Sequence, residues 1–231
     1  WEAAYRLNQV ANYWPKGTVF VNVVDPGVGT ARKSVVLKTK SGHFFVSPDN
    51  GSLTLVSESL GIEEVREINE KTNRLEGSER SHTFHGRDVY AYTGARLASE
   101  AITYEQVGDL LEPSVMQLDY VKPKLINERI VGNVPILDAH YGNVWTNISV
   151  DLFDRLDINI GDEAWVEITD NGQELFMQKV KFVSSFGGVG IGEPAIYIND
   201  ILNLGIAINQ GDMANKYKIK PSSKVLFSIW K

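Results

Sequence analysis

The 231-residue sequence contains no cysteine, which excludes disulfide scaffolds, thiolate nucleophiles and cysteine-ligated zinc sites. It has no apolar run near the roughly 20 residues that a membrane span requires, and its opening residues do not predict a signal peptide. Basic residues are few: 23 Lys and Arg stand against 29 Asp and Glu, for a formal net charge of −6. This balance argues against nucleic acid or an anionic membrane as a partner, and the default expectation is a cytoplasmic enzyme.

The pattern of apolar residues divides the chain into two halves. Residues 1–122 alternate strand-like and helix-like segments, which predicts an α/β domain with a Rossmann-like layered sheet. Residues 128–231 contain short strand-like runs separated by turn signals such as Asn171-Gly172, which predicts an all-β domain, barrel-like or a sandwich. We place the boundary near residues 122–128, after Val121-Lys122-Pro123-Lys124.

Several segments of the first half carry specific predictions. Val19–Val24 is an apolar run interrupted only by Asn22, which predicts a strand buried on both faces. Arg87–Glu100 has the composition of a helix, and the polar segment 71–80 predicts an exposed loop. The opening residues have apolar side chains at helical spacing, so the sequence starts inside a predicted amphipathic helix.

The first candidate site runs from Asp25 to Arg32, with the sequence DPGVGTAR, directly after the predicted strand. Ligand sites of α/β folds commonly lie at such strand ends, and glycines let the backbone approach a ligand closely. The alternative is a tight strand connection with a surface ion pair. A phosphate-binding loop is not expected, because the Gly-Lys-Ser/Thr ending is absent and Asp25 would repel phosphate.

The second candidate site is His85, which precedes Gly86 and a predicted helix with Asp88 in its first turn. His85 could be a functional residue at the edge of the same layer. The alternative is an ordinary surface histidine that forms a hydrogen bond. His82 lies three residues before His85, which is a spacing that metal ligands can have, but no third ligand is in register. We therefore do not expect a metal site.

The third candidate site is the segment from Asp138 to Asn147, with the sequence DAHYGNVWTN. An acid, an amide and two aromatic residues within eight positions could bind an ammonium group and stack on a planar ring. The alternative is a strand–loop–strand in which Trp145 only fills the core.

Four motifs stand in order along the chain: VVDPGVGTARKS at 23–34, SPDNGSLTLV at 47–56, SHTFHGRDVYAYTGARLA at 81–98 and DAHYGNVWTNIS at 138–149. A weaker one, IYINDILNLGIAINQGDMANKY, occupies 196–217. Together they resemble the S-adenosylmethionine hydroxide adenosyltransferase family, which is related to the fluorinating and chlorinating adenosyl enzymes. The resemblance spans nearly the whole chain. It implies an α/β N-terminal domain, a β-barrel-like C-terminal domain and a homotrimer with sites between neighbouring subunits.

The resemblance also implies a reaction on S-adenosyl-L-methionine (SAM). Water attacks C5′ of the ribose and methionine leaves from the sulfonium, giving adenosine and L-methionine, with SAM as substrate and with no cofactor and no metal. The family's Asp–Arg–His triad falls on Asp25, Arg32 and His85, and which of the three acts as base stays open. In the halogenating relatives a Tyr occupies the Asp25 position and a Ser the Gly86 position, so this sequence resembles the water-using branch.

Substrate-binding residues follow from the same resemblance. Asp138 and Asn143 match residues at the methionine end, and Tyr141 and Trp145 match aromatic residues around the ligand. For the adenine, the resemblance implies stacking on Phe182 and recognition of its edge around Asn209 and Gln210. Asn50 lies in a family motif without an assigned role.

One expectation concerns the start of the chain. The family has a first strand ending in a Thr-Asp-Phe-Gly-like motif, whose Asp clamps the ribose hydroxyls, and we expect such a segment ahead of Trp1. Two other functions stay open. One is a non-catalytic adenosyl-ligand sensor, which tight binding without turnover would favour. The other is a metal-dependent hydrolase built on His82, His85 and Asp88, which loss of activity with a chelator would favour.

Overall fold

The computed structural model describes all residues from Trp1 to Lys231. The chain divides into two compact units, Trp1–Leu118 and Asp119–Lys231, and each contains a mixed sheet. None of the helices has the length and apolar character needed to span a membrane. The change from alternating helix-like and strand-like segments to short strand-like runs thus corresponds to two structural units.

A five-stranded mixed sheet forms the centre of the first unit. In the order β1-β3-β2-β4-β5, only β1 and β3 pair in parallel. Helices α1 and α2 pack on one face of this sheet and α3 on the other, which gives a layered α/β arrangement; a Rossmann-like order stays a prediction. The elements are α1 (Glu2–Ala11), β1 (Val19–Val21), β2 (Ser34–Thr39), β3 (Phe44–Pro48), α2 (Thr54–Leu60), β4 (Ile62–Glu67), α3 (Tyr92–Ala98) and β5 (Leu110–Leu111).

The prediction of a strand at Val19–Val24 buried on both faces is wrong. The strand ends at Val21, and both Val23 and Val24 are 54% exposed. Among residues 1–231, β1 has β3 as its neighbour in the sheet. Beyond it the chain is held by Asn22, whose amide nitrogen donates to the hydroxyls of Ser47 and Ser52.

Two other predictions of the first unit need correction. The helix predicted at Arg87–Glu100 starts as a π-helical turn at Gly86–Ala91 and continues as α3. The segment 71–80 is not exposed throughout, because Asn73 is buried and donates to the carbonyls of Gln106 and Val107. The next residue in this segment, Arg74, has a side chain that is only 9% exposed.

The second unit contains a nine-stranded sheet in the order β6-β7-β14-β10-β11-β12-β13-β9-β8. Only β11 and β12 pair in parallel. The predicted hairpin at Asn171-Gly172 is present between β10 and β11, with positive φ at both residues. The elements are β6 (Lys124–Ile126), β7 (Arg129–Val134), β8 (Ile136–Asp138), β9 (Asn143–Ser149), α4 (Val150–Phe153), β10 (Glu163–Asp170), β11 (Gln173–Phe182), β12 (Pro194–Ile198), β13 (Asn203–Ile208), α5 (Met213–Tyr217) and β14 (Ser222–Trp230).

This sheet curls without closing. Its hydrogen-bonded ladder ends at β6 on one side and at β8 on the other, while β7 and β9 approach each other where the Asn133 N–H donates to the Asn147 side-chain oxygen at 2.7 Å. The apolar side chains inside the curve, among them Val144, Ile168 and Phe227, form one core. Barrel-like closure stays a prediction.

Candidate functional site

The segment after β1 brings Asp25 and Arg32 together. Arg32 Nε donates to Asp25 Oδ1 at 2.9 Å and its Nη2 donates to Oδ2, while Nη1 donates to Ser34 Oγ at 3.0 Å. The side chains are 5% and 10% exposed for Asp25 and Arg32, respectively, so the pair is not the surface ion pair of the alternative interpretation. A buried two-point guanidinium–carboxylate contact fixes the direction of both groups.

Tyr90 completes this pair from the π-helical turn. Its hydroxyl donates to Asp25 Oδ2 at 3.2 Å and lies 3.2 Å from Ser34 Oγ. Tyr90 is fully buried, and burial raises the pKa of its hydroxyl well above the ordinary value. It therefore stays a neutral donor to the carboxylate.

His85 lies beside the same groups. It is buried, its ring centroid is 6.4 Å from that of Tyr90, and Nε2 is 3.2 Å from Arg74 Nη2. Burial lowers the pKa of His85 below 6.5, and the positive charges of Arg74 and Arg32 lower it further, against Glu70 and Asp25. His85 is thus held in its neutral form near neutral pH.

The three residues suggested for a metal site do not form a common ligand set. His82 is exposed, His85 faces Arg74, and Asp88 is fully buried with its carboxylate bonded to Arg87 at 2.6 Å. The hydrogen bond from Arg87 lowers the pKa of Asp88. The structure brings no three His, Cys, Asp or Glu side chains together in a metal-binding geometry.

The second unit contains a cavity of about 830 Å³, here called the Trp145 pocket. Five of the predicted substrate-binding residues line it together with residues that the sequence did not single out. The lining residues are Asp138, His140, Tyr141, Asn143, Trp145, Phe186, Tyr197, Ile198, Asn199, Asp200, Ile208, Gln210, Gly211 and Asp212.

Hydrogen bonds order the polar side of the Trp145 pocket. Asn143 Nδ2 donates to Asp138 Oδ2 at 3.2 Å, and Trp145 Nε1 donates to the Tyr197 hydroxyl at 2.7 Å. Burial raises the pKa of Tyr197 to about 12, so its oxygen accepts from Trp145 while remaining protonated. Carboxylates and aromatic rings in one cavity suit a cationic ligand with an apolar part.

The turn between β8 and β9 is tied to α5. Gly142 has φ +69°, and its carbonyl accepts from the Ala214 N–H at 2.9 Å. A Cβ at Gly142 would overlap the Asp212 carboxylate. Only glycine combines this backbone conformation with so close an approach.

Two predicted adenine-binding residues lie outside the Trp145 pocket. Phe182 packs edge-on against Phe153, with ring centroids 5.0 Å apart, at the margin of the core. Asn209 donates its side-chain amide to the Val189 carbonyl at 2.9 Å. Their roles toward adenine stay predictions.

Sequence reasoning missed Tyr90, Glu70 and Arg74 in the first unit and Tyr197 and Asp212 in the second. One signal was available for the first set: Glu70 and Arg74 are opposite charges four residues apart, a spacing at which side chains can pair. Tyr197 and Asp212 lie within the weaker motif at 196–217, which was their one signal, and they reach the pocket from β12 and from the residue before α5.

Known proteins resemble this chain in sequence and fold. Residues 1–108 match the SAM hydroxide adenosyltransferase N-terminal domain and residues 132–226 the C-terminal domain of the same family. The chain is 37% identical to an (R)-S-adenosyl-L-methionine hydrolase of Methanocaldococcus jannaschii. The match covers 80% of this chain and 62% of the relative's length. It is 33% identical to the enzyme of the same name from Salinispora tropica, over 95% of this chain and 77% of that one.

Two further comparisons agree with these. A fluorinase of Actinoplanes sp. is 27% identical over 95% of this chain and 80% of its own length. The crystal structure of an uncharacterized conserved protein from Thermotoga maritima superposes with a TM-score of 0.87 at 37% identity, covering 100% of this chain and 83% of that one. The chain therefore belongs to the SAM hydroxide adenosyltransferase family.

Proposed function

We propose that this chain hydrolyses SAM to adenosine and L-methionine, by attack of water on C5′ of the ribose. The observation that carries the proposal is the buried group formed by Asp25, Arg32 and His85, in a chain whose relatives include proteins named as SAM hydrolases. In this proposal the three side chains bind and orient the reacting water.

The chemistry of the substrate explains why these residue types suffice. A sulfonium sulfur is already a good leaving group, so no acid has to protonate it, and no cofactor or metal has to activate it. The protein has to hold water in line with C5′ and remove its proton, and positioning contributes most of such an effect. A carboxylate oriented by Arg32, next to a neutral imidazole, is suited to both tasks.

Gly86 supports a water-using rather than a halide-using reaction. A Cβ at this position would come within 3.1 Å of the Val23 side chain, which is tighter than ordinary packing allows. The serine that the halogenating relatives have at this position would need Val23 to move. Asp25 and Gly86 together thus favour hydrolysis.

We propose that the Trp145 pocket takes the methionine end of SAM. Its three carboxylates, from Asp138, Asp200 and Asp212, offer acceptors for the ammonium and attraction for the sulfonium. Tyr141 and Trp145 supply aromatic faces for a cation. Phe182, Asn209 and Gln210 are assigned to the adenine on the family resemblance alone.

We also propose that the enzyme acts as a cytoplasmic homotrimer with substrate sites between neighbouring subunits. Tyr141, which is 68% exposed, would then be covered by a neighbour. Nucleic acid and membranes are not proposed as partners, in keeping with the net charge of −6.

The experiment that tests the function is incubation with SAM without added metal, with adenosine and methionine measured by chromatography. We expect both products in equal amounts, no effect of a chelator, and loss of activity in Asp25→Ala. Glu63→Gln is the control, since Glu63 pairs with Lys38 on the surface at 2.7 Å. Tight SAM binding without products would instead support a sensor, and loss of activity with a chelator would support a metal-dependent hydrolase.

A further inference from the structure

The two ring nitrogens of His85 have different surroundings. Nε2 lies 3.2 Å from Arg74 Nη2, while the nearest carboxylate oxygen, Glu70 Oε1, is 3.6 Å away, which is too long for a hydrogen bond. Nδ1 is buried and has no hydrogen-bond partner in the protein. Arg74 is therefore the side chain that bonds the ring.

Arg74 decides which nitrogen carries the proton. A guanidinium has only donors, so Nε2 has to accept, and a neutral imidazole that accepts at Nε2 carries its proton at Nδ1. Arg74 is itself fixed, because Nη2 also donates to Glu70 Oε2 at 2.6 Å and Nη1 donates to the Ser81 carbonyl at 3.3 Å. The arginine is a rigid partner for the ring.

We propose that Arg74, held by Glu70, is a positioning residue that keeps His85 as the Nδ1–H tautomer, so that His85 donates a hydrogen bond to the attacking water and does not take its proton. This inference rests on the proposed SAM hydrolysis. A buried N–H without an acceptor is rare in folded proteins. The reacting water, which must be held beside the triad, supplies that acceptor.

Because His85 does not take the proton of the water in this proposal, another group has to accept it. The water oxygen accepts from His85 Nδ1–H with one lone pair and forms the bond to C5′ with the other, while the C5′–S bond breaks and its electron pair stays on sulfur. The proton lost by the water passes to the Asp25 carboxylate. Asp25 is a neighbour of His85, since the charge of its carboxylate acts on the ring and both residues contact Tyr90.

The charges around His85 agree with a neutral ring. Arg74 and Arg32 disfavour a second proton, Glu70 and Asp25 favour it, and burial opposes it. Asp88, which is bonded to Arg87, is the remaining carboxylate whose charge couples to the ring. With Nε2 occupied by a cationic donor, the ring has no free lone pair to receive the proton of the water.

Nitrogen NMR of the histidine rings tests the tautomer without any turnover. We expect a protonated Nδ1 and an unprotonated Nε2 for His85, a change toward Nε2–H in Arg74→Met, where Nε2 faces only Glu70, and the wild-type pattern in Arg74→Lys. The exposed Arg80 in the same segment provides the control variant Arg80→Met. A protonated Nε2 in the wild-type protein would overturn the proposal.

Kinetics of two His85 variants test the donor role. His85→Asn keeps an N–H near the position of Nδ1 but cannot take a proton, and His85→Ala removes both functions. We expect kcat of His85→Asn to stay within about tenfold of wild type and that of His85→Ala to fall by about 10²-fold or more. Equal losses in both variants would overturn the donor role. If the wild-type protein does not hydrolyse SAM but shows Nδ1–H, the proposed function fails and the tautomer assignment stands.

Discussion

Arg32 contacts both carboxylate oxygens of Asp25, with Nε 2.9 Å from Oδ1 and Nη2 bonded to Oδ2, across a turn of seven residues. This contact fixes the orientation of the Asp25 carboxylate and prevents its rotation. Because both side chains are almost fully buried, loss of either partner leaves an uncompensated charge. The pair is thus both a structural element of the turn and the central feature of the proposed site.

Replacement of Arg32 by lysine tests whether direction matters as well as charge. Lysine keeps the charge but cannot hold two oxygens at once. We expect Arg32→Lys to lower kcat/KM by about 10²-fold, because small displacements of reacting groups have effects of that size. Arg129→Lys, at an ion pair with Glu167 in the second unit, should stay near wild type. Full activity of Arg32→Lys would contradict the orienting role.

Replacement of Tyr90 by phenylalanine removes the hydroxyl that donates to Asp25. We expect the free energy of unfolding to fall by about 1 kcal/mol, and kcat/KM to fall as well. Tyr104→Phe is the matched control, because its buried hydroxyl donates to the Val36 carbonyl at 3.2 Å in the same core cluster. Urea unfolding should give similar losses for both variants, and only Tyr90→Phe should lose activity. Equal activities would show that Tyr90 is structural only.

The lowered pKa of His85 predicts a pH dependence of stability. The unfolded chain binds a proton near pH 6.5, while the folded protein does so only at a lower pH. The contribution of His85 is therefore fully present above 6.5 and is lost as the pH falls from 6.5 through the folded pKa. Urea unfolding between neutral and acidic pH should show this loss in wild type and in His82→Gln, whose ring is exposed. It should be smaller in His85→Asn, and identical slopes would contradict the assignment.

Substitution of Gly142 tests the turn beside the Trp145 pocket. Gly142→Ala adds strain at positive φ and an overlap with Asp212, so we expect a loss of stability of about 1 kcal/mol or more and weaker SAM binding. Gly172 has φ +81°, but a Cβ added there would meet no other atom within 4 Å. Gly172→Ala therefore reports the strain alone, and calorimetry should find SAM affinity unchanged in it. Weaker binding in both variants would argue against a local effect.

Mixing two inactive variants tests the proposed sites between subunits. If each site takes Asp25 from one chain and Asp138 from its neighbour, equal amounts of Asp25→Ala and Asp138→Ala protein, unfolded and refolded together, should regain one site of three in each mixed trimer, or about a quarter of all sites. Each variant refolded alone should stay inactive. Light scattering gives the oligomeric state of the mixture. A trimer without recovered activity would place both residues of a site on one chain.

The candidate site was only partly readable from the sequence. The sequence placed Asp25 and Arg32 in one turn, and the family resemblance implied that they act together, while their burial and two-point contact came from the structure. Tyr90 reaches the same carboxylate from 65 residues away. Its position depends on the π-helical turn that follows His85, and a helical pattern at 3.6 residues per turn does not specify it.

The same distinction applies to the fold. The Asn171-Gly172 hairpin was predictable because the turn residues themselves favour positive φ. The end of β1 at Val21 was not, because the apolar run continues through Val23 and Val24, interrupted only by Asn22. The burial of Arg74 was equally hidden in a segment of polar composition.

Cysteine chemistry could be excluded, and the two structural units and the order of the four motifs could be recognised, from the amino-acid sequence alone. These depend on composition and on residues close together in the chain. The contacts of Arg74 with His85, of Tyr90 with Asp25 and of Trp145 with Tyr197 across 52 residues became visible only in the folded chain. Such contacts form when separate segments pack around a common core, and no local pattern of residues specifies that packing.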